Sequence, residues 1–418
     1  MPSYPRFLVT ERRWLASGFL LFGCSSFGQT FFVSLFSADI RAEHGLSHGA
    51  FGSLFMVATL ASALVLTQVG RVVDLLPART VVLVTVPLLA AGAAAMASAT
   101  HVAVLVAALF ALRLFGQGLM PHTAFTLTGR WFDRGRGRAT SVSTLGLNTA
   151  EAVLPLLVVG AVAVAGWRET WWLVAAGLMV LLWPLAALTG RERVPGTGSG
   201  AAGARPPGGW TRRAALLDPA FHLLLAVMAA PALIGNTVFF HQAHLVESRG
   251  WAPALFASAF VVYAVLTVVF NLVGGFLVDR FTALRLTPVF LLPLACGLLV
   301  LAAAEGPWSV FAFMALYGVT NGLSLGLFGT VWPEVYGVRH LGSIRSVVVA
   351  VLVFASAAGP GAAGLLIDAD VPFSAQVAAL GAYCLAASAV AVQVVRTVRT
   401  RARARADDGV GDGIGVDG

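Results

Sequence analysis

Arg113 and Glu151 are ionisable residues set near the middle of long apolar runs in this 418-residue sequence. A charge at such a depth in a bilayer costs at least ~2.5–3.5 kcal/mol on insertion scales, so it is retained where it does something. A guanidinium stays protonated and grips a carboxylate through two parallel hydrogen bonds. A carboxyl group in an apolar setting can take up and release a proton. The two lie on adjacent antiparallel runs at similar depth, where they could pair. Protonating Glu151 would then free Arg113 to anchor an anionic solute. A fixed Arg–Glu tether between neighbouring helices is the competing structural reading.

The neutral polar residues near the middles of other runs are Gln29, Gln117, Asn148, Asn236 and Asn321. Each can line an internal cavity or hydrogen-bond across helices, the latter worth only about 0.6–2 kcal/mol per contact. His241 and His244, at i and i+3, share a helix face, but a metal site needs a third ligand that the sequence does not supply. Interfacial packing and an outer gate or pH sensor are the readings left for them, and His122 reads as a polar contact. Cys24, Cys296 and Cys384 fall inside apolar runs without disulfide or zinc spacing and read as small core residues. No clustered catalytic set and no phosphate-binding Gly-rich loop with its lysine occurs, so neither an enzyme nor ATP drive is expected. No cofactor is expected.

The elements that position these residues follow from hydropathy. The chain is 58% hydrophobic and 11% charged, with a mean hydropathy of +0.86. A soluble domain needs roughly 25% charged residues. Runs of about 20 apolar residues recur at 14–38, 49–70, 80–99, 102–128, 139–165, 171–189, 220–245, 254–277, 286–304, 308–331, 346–367 and 374–395, numbered here as spans 1 to 12. They lack the two-residue alternation of barrel strands, so the expected class is an all-α integral membrane protein of twelve transmembrane helices. All 27 basic residues are arginines. With a cytoplasmic N-terminus only Arg41, Arg168 and Arg249 fall outside, Arg113 lies within a span, and the remaining 23 are cytoplasmic. That bias predicts both termini inside and accounts for the net charge of +8 through anionic headgroups, with no nucleic-acid partner. The first apolar run is too long for a removable signal peptide. Most tryptophans, among them Trp14, Trp131, Trp167, Trp171, Trp251, Trp308 and Trp332, read as an interfacial belt.

A Gly-, Pro- and Arg-rich connection separates six spans from six. The organisation read from this is an N-terminal bundle (1–189), a cytoplasmic linker (190–219), a C-terminal bundle (220–395) and a disordered, basic then acidic tail (396–418). Gly70 and Gly275, Asp74 and Asp279, and Pro155 and Pro360 each lie 205 residues apart, and Arg138 and Arg345 lie 207 apart. Such register marks a duplicated six-helix unit. The segment GGFLVDR (Gly274–Arg280) and its weaker copy GRVVDLLPART (Gly70–Thr80), which keeps Gly70, Asp74 and Arg79 but has Leu75 and Pro77 at altered positions, resemble the loop signature of the major facilitator superfamily. SFGQTFFVSLF (Ser26–Phe36), GRWFDRGRGRA (Gly129–Ala139), GWRETWW (Gly166–Trp172) and WPEVYGVRHLGSIRS (Trp332–Ser346) resemble its bacterial monocarboxylate porter and oxalate–formate antiporter branch.

The resemblance implies alternating access between two bundles, with spans 1, 4, 7 and 10 lining a cavity. That favours Gln29, Arg113, Gln117, Asn236 and Asn321 as lining residues, beside Glu151. It makes Gly70, Asp74, Arg79, Gly275, Asp279 and Arg280 conformational loop residues. The expected function is proton-coupled secondary transport of a small organic solute, a carboxylate among the candidates, across the plasma membrane and without an obligate protein partner. Efflux of amphipathic metabolites or drugs and a non-transporting receptor of the same fold are the alternatives.

Overall fold

The computed structural model describes residues 4–70, 72–132, 136–190, 210–337 and 340–411. Arg71, Asp133, Arg134, Arg339, most of the expected linker (191–209), residues 412–418 of the tail and the side chain of Asp74 lie outside the described residues. Every element among the described residues is helical. Among the described residues, ten helices are long and apolar enough to cross a membrane. The other two of the twelve expected spans are broken. Span 1 runs as a helix over Arg12–Ser25, turns through Ser26–Gly28, passes an extended Gln29 and resumes at Thr30–Ser34. Span 9 is a short Ala283–Leu286 turn followed by the twelve-residue helix Leu292–Ala303.

The break in span 1 has a steric cause. A Cβ on Gly28 would fall 2.1 Å from the Leu112 carbonyl oxygen and 2.6 Å from the Gln117 nitrogen, so the backbones of spans 1 and 4 touch there. Opposite the break, span 4 carries a π-helical stretch, Leu112–Leu119, between α-helices Val102–Ala111 and Met120–Trp131. Such widened turns leave backbone groups that must be satisfied inside the protein, because hydrocarbon offers no partner.

The duplication is visible in the backbone. The helix breaks at Phe36 (φ −103°, ψ 5°) and His241 (φ −97°, ψ 17°) lie 205 residues apart. So do the left-handed glycines Gly45 (φ 61°) and Gly250 (φ 65°), which end the helices that follow. Each half also closes the end of its third helix with an arginine. Arg168 donates to the carbonyls of Ala97 and Ala99, and Arg249 to those of Leu301 (2.7 Å) and Ala304 (2.6 Å). A cation at a helix C-terminus satisfies orphan carbonyls and complements the helix dipole. Two of the three arginines that break the inside bias are therefore staples.

Arg13 donates to the Leu188 carbonyl at 2.9 Å, and Arg401 pairs with Asp218 at 2.9 Å. These contacts tie span 1 to the end of span 6 and span 12 to the start of span 7, on the face that bears both termini. At the opposite, distal face the halves are sealed where span 2 (His48–Val69) crosses span 11 (Leu341–Asp368). A Cβ on Gly52 would sit 2.7 Å from the Pro360 carbonyl oxygen, and one on Gly364 2.4 Å from that of His48. Asp368 accepts from Ser47 Oγ (2.6 Å) and from the Gly49 N–H (2.8 Å). Spans 5 and 8 make the other long contact between halves.

Three expectations change. Helix Phe373–Gly411 continues through residues 396–411, where a disordered tail was expected, and Arg401 is fixed by Asp218. Trp171 and Trp332 are fully buried and Trp131 nearly so. Trp171 packs on Phe36, Trp332 on Phe221 and Trp131 on Trp14, so these indoles build core and leave belt positions to exposed Trp172, Trp183 and Trp308. Cys24 and Cys384 are buried, whereas Cys296 is exposed.

Candidate functional site

A cavity of about 820 Å³ lies between the halves, from mid-depth to Thr140 and Arg345 near the termini-bearing face. Gln29, Glu151, Asn236 and Asn321 are among its lining residues. Its aromatic wall consists of Phe31, Phe239, Tyr263 and Tyr317. The two tyrosine rings stack with centroids 5.1 Å apart, and Phe239 sits 5.4 Å from each.

Three glycines build that wall. Gly318, Gly322 and Gly326 recur every four residues on span 10 (Trp308–Tyr336), facing span 8 (Ala254–Phe281). A Cβ on Gly318 would approach the Tyr263 carbonyl oxygen to 2.6 Å, and one on Gly322 the Thr267 oxygen to 2.5 Å. Small residues at this spacing let two helices meet backbone to backbone. Tyr263 on one and Tyr317 on the other are thereby held ring on ring. Asn321 donates to Tyr263 Oη at 2.8 Å, and Tyr317 Oη donates to the Pro231 carbonyl at 3.1 Å beside Gly235, which leaves it room.

Arg113 sits behind the cavity, 1% exposed. It donates to Thr59 Oγ1 (3.0 Å), the Gly28 carbonyl (3.0 Å) and Thr30 Oγ1 (3.2 Å), and its guanidinium lies 4.8 Å from the centroid of the Phe55 ring. Thr30 in turn donates to Asn236 Oδ1, so an unbroken relay joins spans 4, 1 and 7 across the two halves. The pairing of Arg113 with Glu151 considered from sequence does not occur. Arg113 satisfies the carbonyl released by the break at Gly28, a role that hydropathy does not reveal. Glu151 instead faces the cavity, close enough to Tyr263 and Tyr317 for its charge to act on both hydroxyls.

Gln117 lies in the π-helical stretch and is not among the cavity-lining residues. Asn148 is likewise absent from the lining. His122 Nε2 lies 3.1 Å from the Gly70 carbonyl oxygen, a polar contact as expected. In the loop signature, Gly274 rather than Gly275 makes the close approach, since a Cβ on it would lie 3.3 Å from the Leu323 Cα, whereas one on Gly275 would meet nothing within 4 Å. Asp279, Arg280 and Arg79 are exposed. The carboxylate that caps the backbone just beyond this loop is Glu334, which accepts from the Leu284 N–H at 3.1 Å. Thr30, Tyr263 and Tyr317 are among the lining residues that sequence reasoning missed. The chain has only five tyrosines, and three of them, Tyr263, Tyr317 and Tyr383, lie mid-span, away from the interfacial depth tyrosine favours.

Two six-helix halves around one central cavity define a transporter-like membrane fold. A profile of the Major Facilitator Superfamily matches residues 18–360 and 223–411, and the chain belongs to that superfamily. Similar solved structures include a bacterial homolog of the human lysosomal transporter Spinster, inward-facing and unoccupied. Its TM-score is 0.75 at 15% identity, covering 96% of this chain and 99% of that one. The occupied inward-facing form of that homolog gives 0.69 at 16% identity, over 96% and 98%. The nucleoside transporter NupG gives 0.65 at 13% identity, over 93% and 99%. A search among curated protein sequences finds no match.

Proposed function

We propose that this superfamily member is a secondary transporter that exchanges protons on Glu151 for an amphipathic organic solute with an aromatic or apolar body and a cationic or hydrogen-bonding head. The observation that carries this reading is the division of charge at mid-depth. Glu151 faces the cavity opposite the tyrosine pair, while Arg113 is turned away and held by neutral acceptors. A guanidinium held there is not free to grip a solute carboxylate, so the carboxylate reading loses its anchor. Stacked aromatic rings next to one carboxylate suit a cation or a polar aromatic group. The amides of Asn236, Asn271 and Asn321 and the hydroxyls of Thr144 and Ser324 supply neutral hydrogen bonds around it.

The arginine bias supports a cytoplasmic termini-bearing face in the plasma membrane. In that orientation the sealed distal face and the cavity reaching Arg345 describe an inward-facing state. Proton loading of Glu151 and solute binding would then compete, which couples the two flows without a further ion.

The test uses proteoliposomes with an entrapped pH dye, challenged separately with pools of organic cations, neutral aromatic solutes and carboxylates. Proton movement with cations or neutral aromatics, lost in Glu151→Gln while labelled solute still binds, is the expected result. Proton movement driven by carboxylates alone would overturn the proposal.

A further inference from the structure

The sealed distal seam gathers basic side chains from both halves. His48, the first residue of span 2, lies with its ring centroid 4.4 Å from that of His244 and 6.0 Å from that of His241, both at the end of span 7. Arg41, on helix Ser37–His44 that follows span 1, borders the same spot, with Ser37, Phe51 and Phe240 closing it. His241 is 2% exposed, and its Nε2 lies 3.0 Å from the Pro360 carbonyl oxygen of span 11. This cluster is remote from Glu151 and has no part in the exchange proposed above.

The surrounding charges are few. Helix Gln242–Ser248 contributes Glu247, which acts on Arg41 and His244, and the end of span 11 contributes Asp368, which acts on Arg41 and His48. Span 12 presents the Phe373 ring to His241 and His244. Glu43 and His44 share the helix of Arg41, and Glu43 is taken up by Arg168. With neutral imidazoles, two carboxylates thus face one guanidinium. A first proton balances that charge. A second and a third place like charges at ring-contact distance across the line along which the halves must part.

We propose that His48, His241 and His244 form a proton-binding site in the distal seam, and that loading it drives the halves apart on that side. Histidine is suited to such work because its charge changes between about pH 5 and 8. The seam is also where each proton has the most leverage, because one imidazole belongs to one half and two belong to the other. The inference rests on alternating access by this fold, not on Glu151 as the exchange site. It makes acidity at the distal face a signal that favours the distal-open state.

The experiment measures spin-label distances in nanodiscs between cysteines at His101 and Glu305, exposed distal positions on the two halves, in a background with the native cysteines replaced. Lowering the pH from about 7.5 to about 5 should convert a short distance into a longer one. The conversion should be lost in the His48→Gln, His244→Gln double variant and should persist in Glu151→Gln. His244→Arg, whose fixed charge supplies the first, balancing one, should move the conversion to a higher pH than in the parent. Elution profile and thermal midpoint at the higher pH establish that each variant is folded. A wild-type distance that ignores pH, or a pH response that survives the double variant, would overturn the proposal. Loss of the response in Glu151→Gln alone would assign it to the cavity instead.

Discussion

Replacing Arg113 by methionine tests whether the buried guanidinium is a structural clasp for span 1 or the partner of Glu151. Its three hydrogen bonds to neutral acceptors are charge-assisted, a class worth about 1.5–3 kcal/mol each, which would sum to roughly 4.5–9 kcal/mol. That sum overstates the loss, because keeping a guanidinium out of water costs several kcal/mol that methionine does not incur. What remains is chiefly the Gly28 carbonyl left without a donor, so the expected destabilisation is about 1–3 kcal/mol. A double-mutant cycle separates the two roles. Arg113→Met with Thr59→Val should show a coupling of about 0.5–3 kcal/mol, and Arg113→Met with Glu151→Gln should be additive within about 0.5 kcal/mol. Unfolding in mixed micelles, followed by tryptophan fluorescence, gives both numbers. A coupling above ~1.5 kcal/mol between positions 113 and 151 would refute the geometry described here, in which the two side chains share neither a contact nor a hydrogen-bond network and should add within about 0.5 kcal/mol. Arg113→Lys should not rescue, because an ammonium cannot reach three separated acceptors as a planar guanidinium does.

Gly322→Leu should disrupt the span 8–span 10 contact and abolish solute binding, whereas Gly275→Ala, which meets nothing within 4 Å, should bind like the parent; a labelled-solute assay on purified protein compares them. Gly235→Ala should displace the Tyr317 hydroxyl from the Pro231 carbonyl and weaken solute binding as Tyr317→Phe does, and the double variant should be no worse than either. At the distal face, hydrogen bonding to Arg168 holds the Glu43 carboxyl below its ordinary range. Its stabilising contribution is therefore complete above the ordinary Glu value and is lost as pH falls through the lowered one. The pair is partly exposed and worth at most about 1 kcal/mol. Thermal midpoints at about pH 7 and about pH 3 should accordingly differ less in Glu43→Gln than in the parent.

The fold was legible because its determinants are local. Apolar run length, arginine placement and the 205-residue register depend on neighbours in sequence, and Gly45 with Gly250 repeats that register in the backbone. The site was legible only at its polar cavity residues, Gln29, Glu151, Asn236 and Asn321. Where Arg113 points depends on a carbonyl released by the break at Gly28 in another span, and hydropathy carries no trace of that. Tyr263 and Tyr317 read as ordinary apolar bulk until the glycines of span 10 bring them together. Gln117 shows the limit from the other side, since the π-helical turn around it rotates the faces that a 3.6-residue period assigns.

One correspondence in the duplicated frame reaches beyond the site. Arg113 on span 4 and Gly318 on span 10 are 205 residues apart, so one ancestral crossing has been finished in two ways. The C-terminal half joins bare backbone to bare backbone, a contact with no side chain to rotate and no charge to rehydrate. The N-terminal half joins through a guanidinium hydrogen-bonded to spans 1 and 2. The two bundles are alike in outline but unlike in how this matching crossing is held, by side-chain hydrogen bonds in one and by backbone contact in the other.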